Sequence, residues 1–127
     1  MNVLKINNWK DIPENYTGIV EYYNGNKVWF LNGLCHRVDG PAIECINGDK
    51  RWFLNGKRHR EDGPTIEYSN GTKKWFFNDL MHRVDGPAIE WNDGDKEWWL
   101  NDVCYSQEEW FELLNDEDKE KAIWNLI

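Results

Sequence analysis

A 23-residue period runs through most of this chain and restricts what it can fold into. The stretch Trp52-Phe53-Leu54-Asn55-Gly56 is followed by His59-Arg60-Glu61-Asp62-Gly63-Pro64-Thr65-Ile66-Glu67. One period upstream stand Trp29-Phe30-Leu31-Asn32-Gly33 and His36-Arg37-Val38-Asp39-Gly40-Pro41-Ala42-Ile43-Glu44. One period downstream stand Trp75-Phe76-Phe77-Asn78-Asp79 and His82-Arg83-Val84-Asp85-Gly86-Pro87-Ala88-Ile89-Glu90. A last copy opens with Trp98-Trp99-Leu100-Asn101-Asp102 and stops. A fixed period of this size marks a repeat architecture, in which each unit buries its apolar face against its neighbours.

Between residues 16 and 102 the pattern is strand and turn. Asn24-Gly25, Asn47-Gly48, Asn70-Gly71 and Asp93-Gly94 recur at one phase. Asn32-Gly33, Asn55-Gly56, Asn78-Asp79 and Asn101-Asp102 recur at a second. Asn-Gly and Asp-Gly favour two-residue type I′ hairpins, which need positive φ at both central residues. Assigning that turn to the first set pairs Ile43 with Trp52, Glu44 with Arg51 and Cys45 with Lys50. It also sets Val20 by Trp29, Ile66 by Trp75 and Ile89 by Trp98, and places Lys27, Lys73 and Lys96 opposite Tyr22, Tyr68 and Trp91 for cation–π contact. A one-residue slip would invert this register.

The flanks differ from the repeats. Residues 1–15 form an N-terminal cap over the first sheet edge, because repeat arrays need atypical end units. Residues 103–127 form a helical cap. Ser106-Gln107-Glu108-Glu109 is a capping box that starts a helix, and Trp110, Leu113 and Leu114 follow at helical spacing. The stripe breaks at Asn115-Asp116-Glu117-Asp118. A second short helix then carries Ala122, Ile123, Trp124, Leu126 and Ile127.

The motif Trp-x-x-Asn-Gly-x-x-His, a short loop, a turn glycine and the next Trp resembles the MORN repeat over about residues 16–102. Where the usual repeat has His-Gly-x-Gly, this chain has His-Arg-x-Asp-Gly-Pro. Units of that type resemble those of uncharacterised large-phage and giant-virus proteins, and the variant MORN repeats of some toxin–antitoxin proteins. The resemblance implies a mainly β fold: a single-layer antiparallel β-hairpin array with a short C-terminal helical cap, used for assembly or partner binding. It implies no catalytic residue.

Charge narrows the partner. The net charge is -8, and a grip on nucleic-acid phosphates needs a basic stripe. No direct nucleic-acid phosphate binding and no membrane are therefore expected, and a basic protein partner or mimicry of a nucleic acid is left open. Cys35, Cys45 and Cys104 have no metal-binding spacing and read as reduced thiols of a cytoplasmic protein, in the host cytoplasm if it is viral. No segment has the ~20 apolar residues needed to span a bilayer.

His36, His59 and His82 recur with Asp39, Asp62 and Asp85, but equivalent residues lie two strands apart, about 10 Å. Zinc ligands stand ~2 Å from the metal, so these histidines cannot share an ion, and neither a metal nor another cofactor is expected. Catalytic groups must converge on one point, whereas a lattice strings like groups along a line, so no enzyme is expected. Cys35 beside His36 is matched by Arg58 and Met81 in the other repeats, so the thiol is incidental. In the structural reading of the loop, Asp accepts backbone N–H groups, Gly takes positive φ and Pro fixes the next φ. Arg37, Arg60 and Arg83 then bridge to the adjacent repeat, and Trp29, Trp52, Trp75 and Trp98 supply the core.

Surface remains. An aromatic row of Phe30, Phe53, Phe76 and Trp99, rimmed by Glu44, Glu67 and Glu90, is the expected partner-binding face. The opposing reading buries both sheet faces within the monomer or a homodimer. A phage or viral inhibitor of a host defence factor fits the resemblance. A nucleotide or small-ligand binder, and an acidic nucleic-acid mimic or antitoxin-type inhibitor, are the alternatives.

Overall fold

The computed structural model describes residues 2–126; Ile127, placed above in the second helix, lies outside them. The chain order is β1 (Val3–Ile6), a 3-10 turn (Trp9–Asp11), β2 (Gly18–Tyr22), β3 (Lys27–Leu31), β4 (Leu34–Cys35), β5 (Ile43–Glu44), β6 (Lys50–Arg51), β7 (Phe53–Leu54) and β8 (Lys57–Arg58). There follow β9 (Ile66–Glu67), β10 (Lys73–Lys74), β11 (Phe76–Phe77), β12 (Leu80–Met81), β13 (Ile89–Glu90), β14 (Lys96–Leu100), β15 (Val103–Tyr105), α1 (Gln107–Leu113) and α2 (Asp116–Leu126). Among the described residues one eleven-stranded sheet runs β1-β2-β3-β5-β6-β9-β10-β13-β14-β15, with β4 beside β3. The hairpins β7–β8 and β11–β12 stand off it as separate two-stranded ladders. The array is thus a meander of hairpins, as the repeat predicts. The N-terminal segment is itself a strand: β1 pairs parallel with β2 and extends the sheet.

The two sets of turns differ in chemistry. In the second set both central residues have positive φ: Asn55 (50°) with Gly56 (79°), Asn78 (47°) with Asp79 (70°), and likewise at Asn32-Gly33 and Asn101-Asp102. These are the two-residue type I′ turns. They close Leu31 on Leu34, Leu54 on Lys57, Phe77 on Leu80 and Leu100 on Val103. The first set, expected to be type I′, has positive φ only at Gly25, Gly48, Gly71 and Gly94, between 96° and 102°. There Cys45 N–H donates to Asp49 O and Gly48 N–H to Cys45 O, both at 2.9 Å, so the loop holds three residues.

That extra residue shifts every expected pair by one. Ile43 faces Arg51 and not Trp52, and Glu44 faces Lys50 and not Arg51. Val20 faces Val28, Ile66 faces Lys74 and Ile89 faces Glu97. The lysines expected on aromatic rings instead form a charge ladder. From Glu21 it runs through Lys27, Glu44, Lys50, Glu67, Lys73 and Glu90 to Lys96, alternating in sign across the sheet. Opposite charges directly across strands each contribute roughly 0.2–1 kcal/mol. Cation–π contact falls to the next residue: Lys74 Nζ lies 5.4 Å from the Tyr68 ring centroid and 5.3 Å from that of Trp91.

The new register also explains the alternation of large and small residues. The N–H groups of Trp29, Trp52 and Trp75 donate to the carbonyls of Ala42, Thr65 and Ala88 at 2.7–2.8 Å. Ala42, Thr65 and Ala88 are fully buried, and their small side chains leave room beside each indole. Thr65 satisfies its hydroxyl by donating to Phe76 O (3.0 Å) and accepting from Phe76 N–H (2.8 Å).

At the C-terminus the capping box forms as read: Ser106 Oγ accepts from Glu109 N–H and the Glu109 carboxylate accepts from Ser106 N–H. Asn115 Oδ1 accepts the Asp118 N–H at 2.8 Å and starts the second helix. The helices fold back so that Trp98, Trp110, Leu114 and Ala122 make one buried cluster.

Candidate functional site

The side chains that carry the repeat meet in three loops, 36–41, 59–64 and 82–87. In each, the arginine sits over the tryptophan eight residues before it. The guanidinium carbons of Arg37, Arg60 and Arg83 are 4.0, 3.8 and 3.9 Å from the ring centroids of Trp29, Trp52 and Trp75. Each such stack contributes roughly 0.5–2 kcal/mol, more as water is excluded. The arginines tie their own loop, not the adjacent repeat as expected. Arg60 Nε donates to Asp62 at 3.0 Å, and Nη1 donates to Pro64 O at 3.0 Å and Glu67 at 3.3 Å. Arg37 and Arg83 repeat the set with Asp39, Pro41 and Glu44, and with Asp85, Pro87 and Glu90. The Arg37 hydrogen bond, reinforced by its charge, holds the Asp39 carboxyl below the usual carboxylate range.

The loop glycine has a different reason from the one expected. Gly40, Gly63 and Gly86 are not among the positive-φ residues. A Cβ there would come within 2.9, 2.8 and 2.7 Å of the Arg37, Arg60 and Arg83 guanidinium carbons. Glycine leaves the room in which the guanidinium lies against the backbone; a larger residue would have to displace it.

The histidines join one repeat to the next. The N–H groups of Asn55, Asn78 and Asn101 donate to Nδ1 of His36, His59 and His82 at 2.9, 3.2 and 3.1 Å. An accepting Nδ1 puts the proton of the neutral ring on Nε2. At His59, Nε2 faces the Glu61 carboxylate at 3.5 Å. Burial lowers the His82 pKa, opposed by the charge of Asp118 on α2. The asparagines and aspartates of the turns add further ties. Asn26 and Asp49 side chains accept from Ile46 and Ser69 N–H at 2.8 Å, and Asp79 accepts from Arg58 N–H (2.8 Å) and Nε (3.0 Å). That backbone N–H, ahead of the arginine's charge, holds Asp79 below its ordinary value. Beside His36, burial pushes the Cys35 thiol up, which disfavours the nucleophilic thiolate.

Between the loops lie grooves. The first, about 670 Å³, is lined by Arg37, Asp39, Trp52, His59, Arg60 and Glu61. The second, about 310 Å³, lies between Arg60, Glu61, Trp75, Phe77 and His82, with Lys121 of α2 at its side. At the fourth tryptophan there is no arginine, since Ser106 holds the equivalent position. Trp110 of α1 takes that place, its ring centroid 4.7 Å from that of Trp98. Trp110 Nε1 donates to Arg83 O at 2.8 Å, and Asn125 Nδ2 donates to Asp85 O at 2.7 Å. Sequence reasoning missed Trp110 and Asn125 as contacts of this face. The signal was Trp98 itself, an indole left without its arginine.

The expected partner-binding residues are placed differently from one another. Phe76 is buried, with the Arg58 guanidinium carbon 4.1 Å from its ring centroid, while Phe30, Phe53 and Trp99 are half-buried. Glu44, Glu67 and Glu90 stand opposite lysines in the strand register and are engaged by the loop arginines. Among the described residues, no three His, Cys, Asp or Glu side chains gather as a metal site, and no helix is long and apolar enough to cross a membrane. Comparison of the chain with protein-family models, curated proteins and solved structures gave no match.

Proposed function

We propose that this chain is a non-enzymatic repeat module that binds a protein partner through the face bearing the three arginine loops. One observation supports this reading above the others: the loops stand at regular intervals with open grooves between them, and the chain's own helices already pack against the third. The titratable groups of each loop are spent on tying it, which suits a rigid surface better than proton transfer. The same ties weigh against phosphate binding, because each arginine already serves two carboxylates. The likeness of the units to MORN repeats and to phage and giant-virus proteins makes a host protein the partner we have in mind. The binding face we propose differs from the Phe30, Phe53, Phe76 and Trp99 row, since Phe76 is buried.

A photo-reactive residue at Val38, 83% exposed at the crest of the first loop, tests this in host lysate. The expected product is one protein cross-linked from position 38 and not from Asn92, on a turn outside the loops. Capture from Asn92 alone, or from neither, would count against it.

A further inference from the structure

The sheet has a second face, and we infer that on it Tyr68, Lys74 and Trp91 form a seat for a proline-rich segment held as a polyproline II helix. Side chains alternate along a strand. Glu67 and Glu90 point to the side where the loop arginines meet them. Tyr68, Lys74 and Trp91 therefore point to the other side, as the pairing of Lys74 with Ile66 and Ile89 requires.

Tyr68 and Trp91 hold like positions in successive repeats, two strands apart, so their rings stand roughly 9.5 Å from each other. The Trp91 ring is fixed in place. Its Nε1 donates to Glu97 at 2.6 Å, and the same carboxylate accepts from Trp99 Nε1 at 3.1 Å. It is also open, with 36% of the residue exposed. The floor between the two rings is the buried Thr72, with Lys74 beside it.

The row offers donors as well as ring faces. Lys74 Nζ lies about midway between the rings, and the Arg51 guanidinium carbon is 5.5 Å from the Tyr68 centroid. Among the described residues neither cation is in an ion pair, and neither spends a side-chain N–H on a hydrogen bond. Asp49, whose charge acts on Arg51, and Glu97 balance the two cations, so the row does not select an anion. It suits a neutral chain with apolar ridges and many acceptors.

A polyproline II helix is such a chain. Its backbone carbonyls make no internal hydrogen bonds, and proline has no N–H of its own. With three residues per turn and a rise of ~3.1 Å, like positions recur every ~9.3 Å, which is the spacing of the two rings. Prolines at i and i+3 then lie on Tyr68 and Trp91, and a carbonyl between them accepts from Lys74. Aromatic grooves hold such segments in this way. An extended strand repeats every ~6.6 Å and misses one ring or the other. An α-helix, about 10–12 Å across with its side chains, is too wide for the gap.

The test titrates the full chain with a peptide of repeated Ala-Pro-Pro, with repeated Ala-Gly-Gly as the comparison, followed by amide and indole NMR shifts. The proline peptide should move the Trp91 indole signal and the amides of 66–68, 72–75 and 89–91, and its affinity should hold as salt is added. Trp91→Ala should weaken it roughly tenfold or more. Lys74→Met, which keeps the stem and drops the donors, should weaken it about fivefold with the dispersion of the other amide signals intact. Val38→Lys, on the first loop, should leave it unchanged. An equal response to the glycine peptide, shifts centred on the arginine loops, an affinity that falls steeply with salt, or no response would overturn the assignment. The loop face is judged separately, by cross-linking from position 38, which Lys74→Met should not alter. A label at Asn92 does not read this seat, because the residue after Trp91 alternates to the opposite side of the strand.

Discussion

The backbone N–H of Asn78 donates to Nδ1 of His59, 19 residues earlier and one repeat away, at 3.2 Å. The same bond joins Asn55 to His36 and Asn101 to His82, so a ring nitrogen that must stay unprotonated links each unit to the next. His82 is the member that burial shifts. Its pKa is lowered in the fold, so as the pH falls the unfolded chain binds the proton first. Its contribution is complete above the ordinary histidine value, about 6.5, and is lost as the pH drops through the folded one. A proton NMR titration should give His82 a midpoint below that of a free histidine. A midpoint at or above the free value would show that burial does not outweigh the charge of Asp118 at this ring.

Gly63→Ala tests why the loop glycine is needed. Its backbone could accept alanine, but the new Cβ would meet the Arg60 guanidinium carbon at 2.8 Å. The guanidinium must shift, and the cost is the stack on Trp52 that it gives up, about 0.5–2 kcal/mol. In the Arg60→Ala background most of that cost should vanish. Chemical denaturation of the double-mutant cycle reads the coupling; simple additivity would mean that Arg60 is not what the glycine accommodates.

Trp110→Ala should cost about 3–5 kcal/mol, because the indole is fully buried on Trp98. Amide exchange in α1 and α2 should rise well before that of β2 and β3. Trp124, 71% exposed, is the control, and its replacement by Ala should stay within about 0.5 kcal/mol.

At Asp79 two effects compete. Asp79→Gly relieves a φ of 70°, worth at most ~1–2 kcal/mol and less for Asp, which tolerates this region. It also removes the hydrogen bonds from Arg58 N–H and Nε. Charge-assisted bonds reach roughly 1.5–3 kcal/mol, discounted here for partial exposure. The bonds should win by about 1 kcal/mol, giving a lower melting temperature; a higher one would reverse the ranking.

The repeat, the hairpin meander and the capping box at Ser106 were legible because each is a local pattern. Register was not, since it depends on which turn holds two residues and which holds three. The sequence did carry a clue. The first set always ends in Gly, at Gly25, Gly48, Gly71 and Gly94, where φ near 100° excludes side chains. The second set admits Asp79 and Asp102, at 70° and 67°, a region that Asp can occupy. Only the second set is therefore free of an absolute need for glycine, as a type I′ turn allows. The arginine stacks were hidden for another reason. Trp52 and Arg60 are joined by the loop's path back over the strand, which spacing alone does not give.

The ties that the His, Asn and Asp side chains of the turns and loops make between units span 19 to 21 residues. Loop closure therefore costs the same at every step, however many units there are. A chain lengthened by a whole unit should zip up at an unchanged pace per step, and under tension it should come apart from its ends, one unit at a time.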